Sequence, residues 1–112
     1  MKDCLFCRIA AKEIESSMVY EDEKVFAFND INPQAPVHIL VIPKEHIPSI
    51  TDVKDFSIVG ELYGIINKLA EAKGIKATGF RVIVNHGKDS GQAVPHLHFH
   101  LLGGRHLHWP PG

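Results

Sequence analysis

Three histidines, His96, His98 and His100, stand two residues apart in the stretch PHLHFHLL, with Leu97 and Phe99 between them. They are three of only eight histidines in a chain of 112 residues. A strict period of two is the signature of an extended strand. In that conformation the imidazoles share one face, roughly 6.5 Å apart along the chain. Leu97, Phe99 and Leu101 then face the other way, into a core. Such a row suits two chemistries. It can hold a metal ion, or a neutral imidazole can act as a nucleophile toward a phosphoryl or acyl group. A histidine-rich solvated face is the bland alternative, and the strict register argues against it.

A second chemical pair lies at Cys4-Leu5-Phe6-Cys7. A C-x-x-C pair serves as half of a tetrahedral zinc site or as a redox couple, and the redox reading wants a βαβ setting that this chain lacks. Between Asn85 and Pro95 runs the loop NHGKDSGQAVP. Gly87 and Gly91 allow the backbone to approach an anion, and Asn85 and Gln92 add neutral donors. The glycine spacing is not that of a Walker loop. His38 closes a proline-containing loop, Asn32-Pro33-Gln34-Ala35-Pro36, and opens the apolar run HILVIP.

The elements that must position these groups follow from pattern. Leu5 to Ile14 reads as a short helix. Met18 to Glu21 and Lys24 to Asn29 read as two strands joined by a tight turn at Asp22-Glu23. His38 to Pro43 is almost continuously apolar, as a central strand should be. Ile58, Val59, Leu62, Ile65, Ile66 and Leu69 follow the three-to-four spacing of one long amphipathic helix, with Asp52 or Asp55 as its cap and Lys73-Gly74 at its end. Gly79 to Asn85 is a further strand, and the histidine strand comes last. Short links imply antiparallel pairing. The expected fold is α+β: one antiparallel sheet of about five strands, with one long and one short helix.

Bulk composition narrows the classes. With 112 residues there is room for one domain, 1–112, and a real core. The formal charge of −1, with both signs interspersed, offers no stripe for a nucleic-acid polymer. No apolar run approaches the roughly 20 residues of a membrane span, and MKDCLFC lacks the hydrophobic region of a signal peptide. A cytoplasmic location is therefore expected, with both cysteines reduced.

The run HLHFHLL fits His-φ-His-φ-His-φ-φ (φ hydrophobic) at every position. It resembles the defining motif of the histidine-triad (HIT) family. NDINPQAPVHILVIPKEHI, VNHGKDSGQ and LGGRHLHWPPG resemble the Hint branch, the histidine-triad nucleotide-binding proteins, so that the likeness covers nearly the whole chain. It implies a hydrolase cleaving the P–N bond of purine nucleoside 5'-phosphoramidates through a nucleotidyl-histidine. By that resemblance His98 is the nucleophile, His100 hydrogen-bonds the phosphoryl oxygens, His38 orients the array, and His96 belongs to the catalytic row. Asn85, Gly91, Gln92 and the backbone at Ala93 match phosphate and ribose contacts. Asp30 and Ile31 match the ribose and base pocket. Ala93 stands where many relatives carry serine, which removes a hydroxyl contact and puts leaving-group preference in question.

Relatives also imply a structural zinc on Cys4, Cys7, His46 and His96, needed for no chemical step. They imply a homodimer whose sheets join across the two-fold axis, with Trp109 shaping the neighbouring pocket. Two other readings remain at this stage: a zinc hydrolase with the three histidines as ligands, and a regulatory nucleotide-binding module with little turnover.

Overall fold

The computed structural model describes residues 3–112. Its order is α1 (Leu5–Ala10), β1 (Met18–Glu21), β2 (Val25–Asn29), β3 (Val37–Pro43), α2 (Ser57–Ala72), β4 (Phe80–Val84) and β5 (Phe99–Gly103). The five strands form one sheet in the order β1-β2-β3-β5-β4, antiparallel throughout. The expected α+β class, strand count and helix pair are all present.

The sheet's two faces carry different cores. Val25, Ala27, Ile39, Val41, Phe99 and Leu101 pack under α2 against Leu62, Ile65, Ile66 and Leu69. Phe26, Phe28, Leu40 and Ile42 pack under α1 against Phe6 and Ile9. Alternate residues of each strand thus feed opposite layers, and burying one large apolar side chain contributes about 1.5–3 kcal/mol.

Local chemistry sets the boundaries. Asp22 closes the β1–β2 turn, its Oδ1 accepting from the N–H groups of Lys24 and Val25 at 2.8 Å each. Asp55, one of the two expected caps, accepts at 3.0 Å from the N–H of Ser57, the first residue of α2. At the other end Gly74 (φ 74°) takes the left-handed conformation. The N–H of Gly74 donates to Glu71 and that of Ile75 to Ala70, a Schellman ending that seats Ile75 in the core.

Two expectations were too generous. The first helix stops at Ala10, because Lys12 adopts φ 64° and the chain turns away. The histidine strand joins the ladder only from Phe99; His96 lies in a bend, and His96 to His98 lead in without strand pairing. Leu97 is tied across to Ile47 instead, its N–H donating to that carbonyl at 2.6 Å.

Candidate active site and metal centre

β5 and the residues leading into it carry the three histidines on the α1 side of the sheet, while Leu97, Phe99 and Leu101 join the α2 core. His96 is fully buried and His98 nearly so, and His100 is half-buried. β3 brings His38 alongside: Leu40 pairs with His100 and His38 with Leu102, so the two imidazoles are diagonal neighbours.

Hydrogen-bond partners assign the protons. The Nδ1 of His98 lies 2.6 Å from the carbonyl oxygen of His96, and a carbonyl only accepts. Nδ1 therefore carries the hydrogen, and Nε2 keeps its lone pair. The N–H of Gln34 donates to His38 Nδ1 at 3.0 Å, so His38 carries its proton on Nε2. That Nε2–H lies 2.9 Å from His100 Nδ1 and 3.4 Å from Asp30 Oδ2. When His100 Nδ1 accepts it, the outer Nε2 of His100 becomes a donor. One ring is thereby left as a base and its neighbour as an acid, with centroids 5.0 Å apart.

Burial keeps the group neutral. Desolvation, with the neighbouring His98 and His38 rings, pushes His100 down to about 4. Desolvation also lowers His98 and His38, opposed at His38 by the Asp30 carboxylate. Phe6 adds an apolar wall, its ring edge-on to His98 at 5.1 Å between centroids and 88° between planes.

A second cluster forms where α1 meets the sheet. The Sγ and ring-nitrogen atoms of Cys4, Cys7, His46 and His96 all lie within 4.8 Å of one another. His96 Nε2 donates to the Pro43 carbonyl at 2.8 Å, leaving Nδ1 bare and facing Cys4 Sγ at 3.2 Å and Cys7 Sγ at 3.5 Å. His46 Nδ1 lies 3.4 Å from Cys7 Sγ. Two soft thiols and two imidazole lone pairs around one point suit a tetrahedral divalent metal. Both ring nitrogens of His96 are thus committed, Nε2 to the Pro43 carbonyl and Nδ1 to the cysteine sulfurs, so neither is free as a proton donor toward His98 and His100.

Asp30, His38 and His100 also form a metal-capable group. A metal on His38 Nε2 would force the ring proton onto Nδ1, against the Gln34 N–H. That pair of donors disfavours a cation there. Among the described residues the metal-capable groups are Cys4, Cys7, His46 and His96, and Asp30, His38 and His100, each with one histidine of the row.

Of the other expected site residues, Asn85 is half-buried at the end of β4, and Gly91 and Ala93 lie exposed in the loop before the histidines. Gln92 is committed to that loop: its Oε1 accepts from Gly87, and its Nε2 donates to Pro48 and Val94. Ile31 is 99% exposed and Trp109 80%. Trp109 lies beside Arg81, whose guanidinium carbon is 5.9 Å from the ring centroid. Two contributors, the Gln34 N–H and the Pro43 carbonyl, are main-chain groups to which side-chain chemistry gives no pointer. Phe6 was visible only as the filling between two cysteines.

A family model described as the HIT domain matches residues 11–107. The chain belongs to the HIT-domain family. A 14 kDa zinc-binding protein of Zea mays is 46% identical to this HIT protein over 112 residues, covering 96% of this chain and 87% of that one. The crystal structure of a HIT family hydrolase from Legionella pneumophila Philadelphia 1 superposes with a TM-score of 0.96 at 47% identity, covering 98% and 100% of the two chains. A histidine triad nucleotide-binding protein from Candida albicans superposes with a TM-score of 0.85 at 31% identity, over 96% and 83%. The HIT fold is thereby established, and its structural neighbours include one protein described as a hydrolase and one described as nucleotide-binding. No helix of the described residues is long and apolar enough to cross a membrane.

Proposed function

We propose that this HIT protein hydrolyses purine nucleoside 5'-phosphoramidates through a nucleotidyl-histidine on His98. One observation carries the reading: His98 donates its Nδ1–H to the His96 carbonyl at 2.6 Å, which leaves Nε2 as the unprotonated nitrogen of the ring. Nε2 attacks phosphorus and the P–N bond breaks; the nitrogen takes its proton from solvent water as it leaves as the free amine, and a proton returns to solvent when water later attacks the intermediate. His100, holding a hydrogen on Nε2, donates to the phosphoryl oxygens as negative charge gathers on them. Water then attacks the phosphorus of the intermediate and releases the nucleoside monophosphate. The covalent step divides one difficult displacement into two easier ones.

Asp30, Ile31, Asn85, Gly91 and the backbone at Gln92 and Ala93 surround the nucleotide in this reading. The exposure of Ile31 leaves it available to cover a base. Zinc on Cys4, Cys7, His46 and His96 pins α1 to the sheet and takes no part in the chemistry. The chain acts as a single domain, 1–112, in a cytoplasmic homodimer, with Trp109 set toward the partner's pocket.

Brief mixing with adenosine 5'-phosphoramidate followed by acid quench and intact-mass measurement tests the reading. An adduct of one adenylyl group, mapped to His98 and absent from His98→Asn, is expected. Turnover by His98→Asn at the parent rate would overturn it.

A further inference from the structure

Arg105 is exposed and faces no carboxylate among the described residues, yet its whole guanidinium is engaged. Nε and Nη2 both donate to the Gln34 carbonyl, at 3.1 and 2.8 Å, and Nη1 donates to the His106 carbonyl at 2.8 Å. A planar fork whose three nitrogens each donate to a main-chain oxygen fixes backbone, and charge pairing is no part of it.

The backbone it fixes is catalytic in consequence. Gln34 presents its N–H to His38 Nδ1 at 3.0 Å, and His38 Nε2 lies 2.9 Å from His100 Nδ1. A second feature binds the same loop to the same turn. Gly104 sits at φ 91°, and a Cβ there would come within 2.9 Å of Pro36 Cβ. The chain after β5 therefore lies against the proline loop through a contact that only glycine permits.

We propose that Arg105 is a positioning residue that sets the proton inventory of the active site through Gln34, His38 and His100. With the Gln34 N–H held in place, His38 keeps its hydrogen on Nε2, and His100 presents Nε2–H to the substrate. With the loop released, His38 loses the donor that selects its tautomer, and His100 spends part of its time with the acid on the wrong nitrogen. This inference rests on the proposed role of His100 as phosphoryl donor, but its tautomer claim is measurable without any substrate.

Arg105→Gln and Arg105→Lys test it in the full-length, metal-loaded protein, since neither rebuilds the fork. Nitrogen-15 shifts of the imidazoles are read first. In the parent, His38 and His100 are expected as single Nε2–H tautomers, and in the variants as mixtures. With adenosine 5'-phosphoramidate, kcat should fall by roughly ten- to a hundredfold, the range expected for small misplacement of a catalytic group, while KM moves little. Gly104→Ala should reproduce both effects by pushing the loop outward. Parent-like tautomers in Arg105→Gln, with melting and metal content unchanged, would overturn the proposal. So would a loss confined to KM. Absence of turnover in the parent would instead sink the phosphoramidase reading and leave the tautomer result standing.

Discussion

The carbonyl oxygen of His96 accepts the Nδ1–H of His98 at 2.6 Å, while the ring of the same His96 turns its Nδ1 toward two cysteine sulfurs. One residue thus joins the metal-capable cluster by its side chain and the proposed nucleophile, His98, by its main chain. The two sites are neighbours in space but separable in role.

That separability predicts the effect of losing the nucleophile. His98→Ala and His98→Asn should lower phosphoramidate hydrolysis by at least about a thousandfold, as removal of a covalent nucleophile does. Nucleoside monophosphate binding should persist. Isothermal titration beside a turnover assay distinguishes the two, and retention of hydrolysis would refute the assignment.

Removing the metal should have the opposite signature. With zinc held on Cys4, Cys7, His46 and His96 as proposed, chelation or Cys7→Ala would take away a clamp between α1 and the sheet. The melting temperature should fall by about ten degrees or more, because metal binding to a folded site adds directly to folding free energy. Hydrolysis measured well below melting should largely survive. Loss of activity in step with zinc content, without loss of structure, would point to a catalytic metal.

Acid should weaken the fold. Burial holds His100 at about 4, well under the 6.5 of a free imidazole. Above the free value neither folded nor unfolded chain binds the proton. Between 6.5 and about 4 the unfolded chain takes it up and the folded one does not, so stability declines as the pH drops through that window. His38 is lowered as well and adds in the same direction. Calorimetry should show a melting temperature that is level near neutrality and falls below it, with a shallower fall in His100→Gln. Because burial also lowers His98, the acid limb of kcat/KM should lie below the usual histidine range.

Gly103→Ala probes the packing between β5 and the turn after α2. An added Cβ would meet Ile75 Cδ1 at 2.7 Å and its Cβ and Cγ2 at 3.1 Å, and Ile75 is itself buried. Overpacking of this kind costs about 1–3 kcal/mol. Urea denaturation should register the loss, with activity per folded molecule close to the parent's. An unchanged midpoint would mean that Ile75 repacks freely.

Much of this was legible beforehand, and for identifiable reasons. Leu62, Ile65, Ile66 and Leu69 mark α2 because burial of one helix face is written directly as spacing. The HLHFHLL alternation separated the chemical face from the core face: the pleat enforces it from Phe99 onward, and Leu97 in the lead-in still joins the core. The cysteine pair with His46 and His96 was anticipated through resemblance, and the structure brings the four together. The break after Ala10 was hidden because Lys12 is no turn residue by type. The late start of β5 was hidden because strand pairing depends on partners, and an alternating sequence cannot say where its neighbour ends. Main-chain donors such as the Gln34 N–H leave no mark in composition at all.

The indole at Trp109 is the chain's only one, and four-fifths of it meets solvent. In an isolated subunit its fluorescence should therefore begin red-shifted and gain little further shift when the interior melts. Emission from a lone subunit would be a poor thermometer of folding but a direct optical gauge of whatever comes to rest on that tail. A blue shift on raising concentration would report self-association, and quenching on adding nucleotide would report that the ring lies within reach of an occupied pocket.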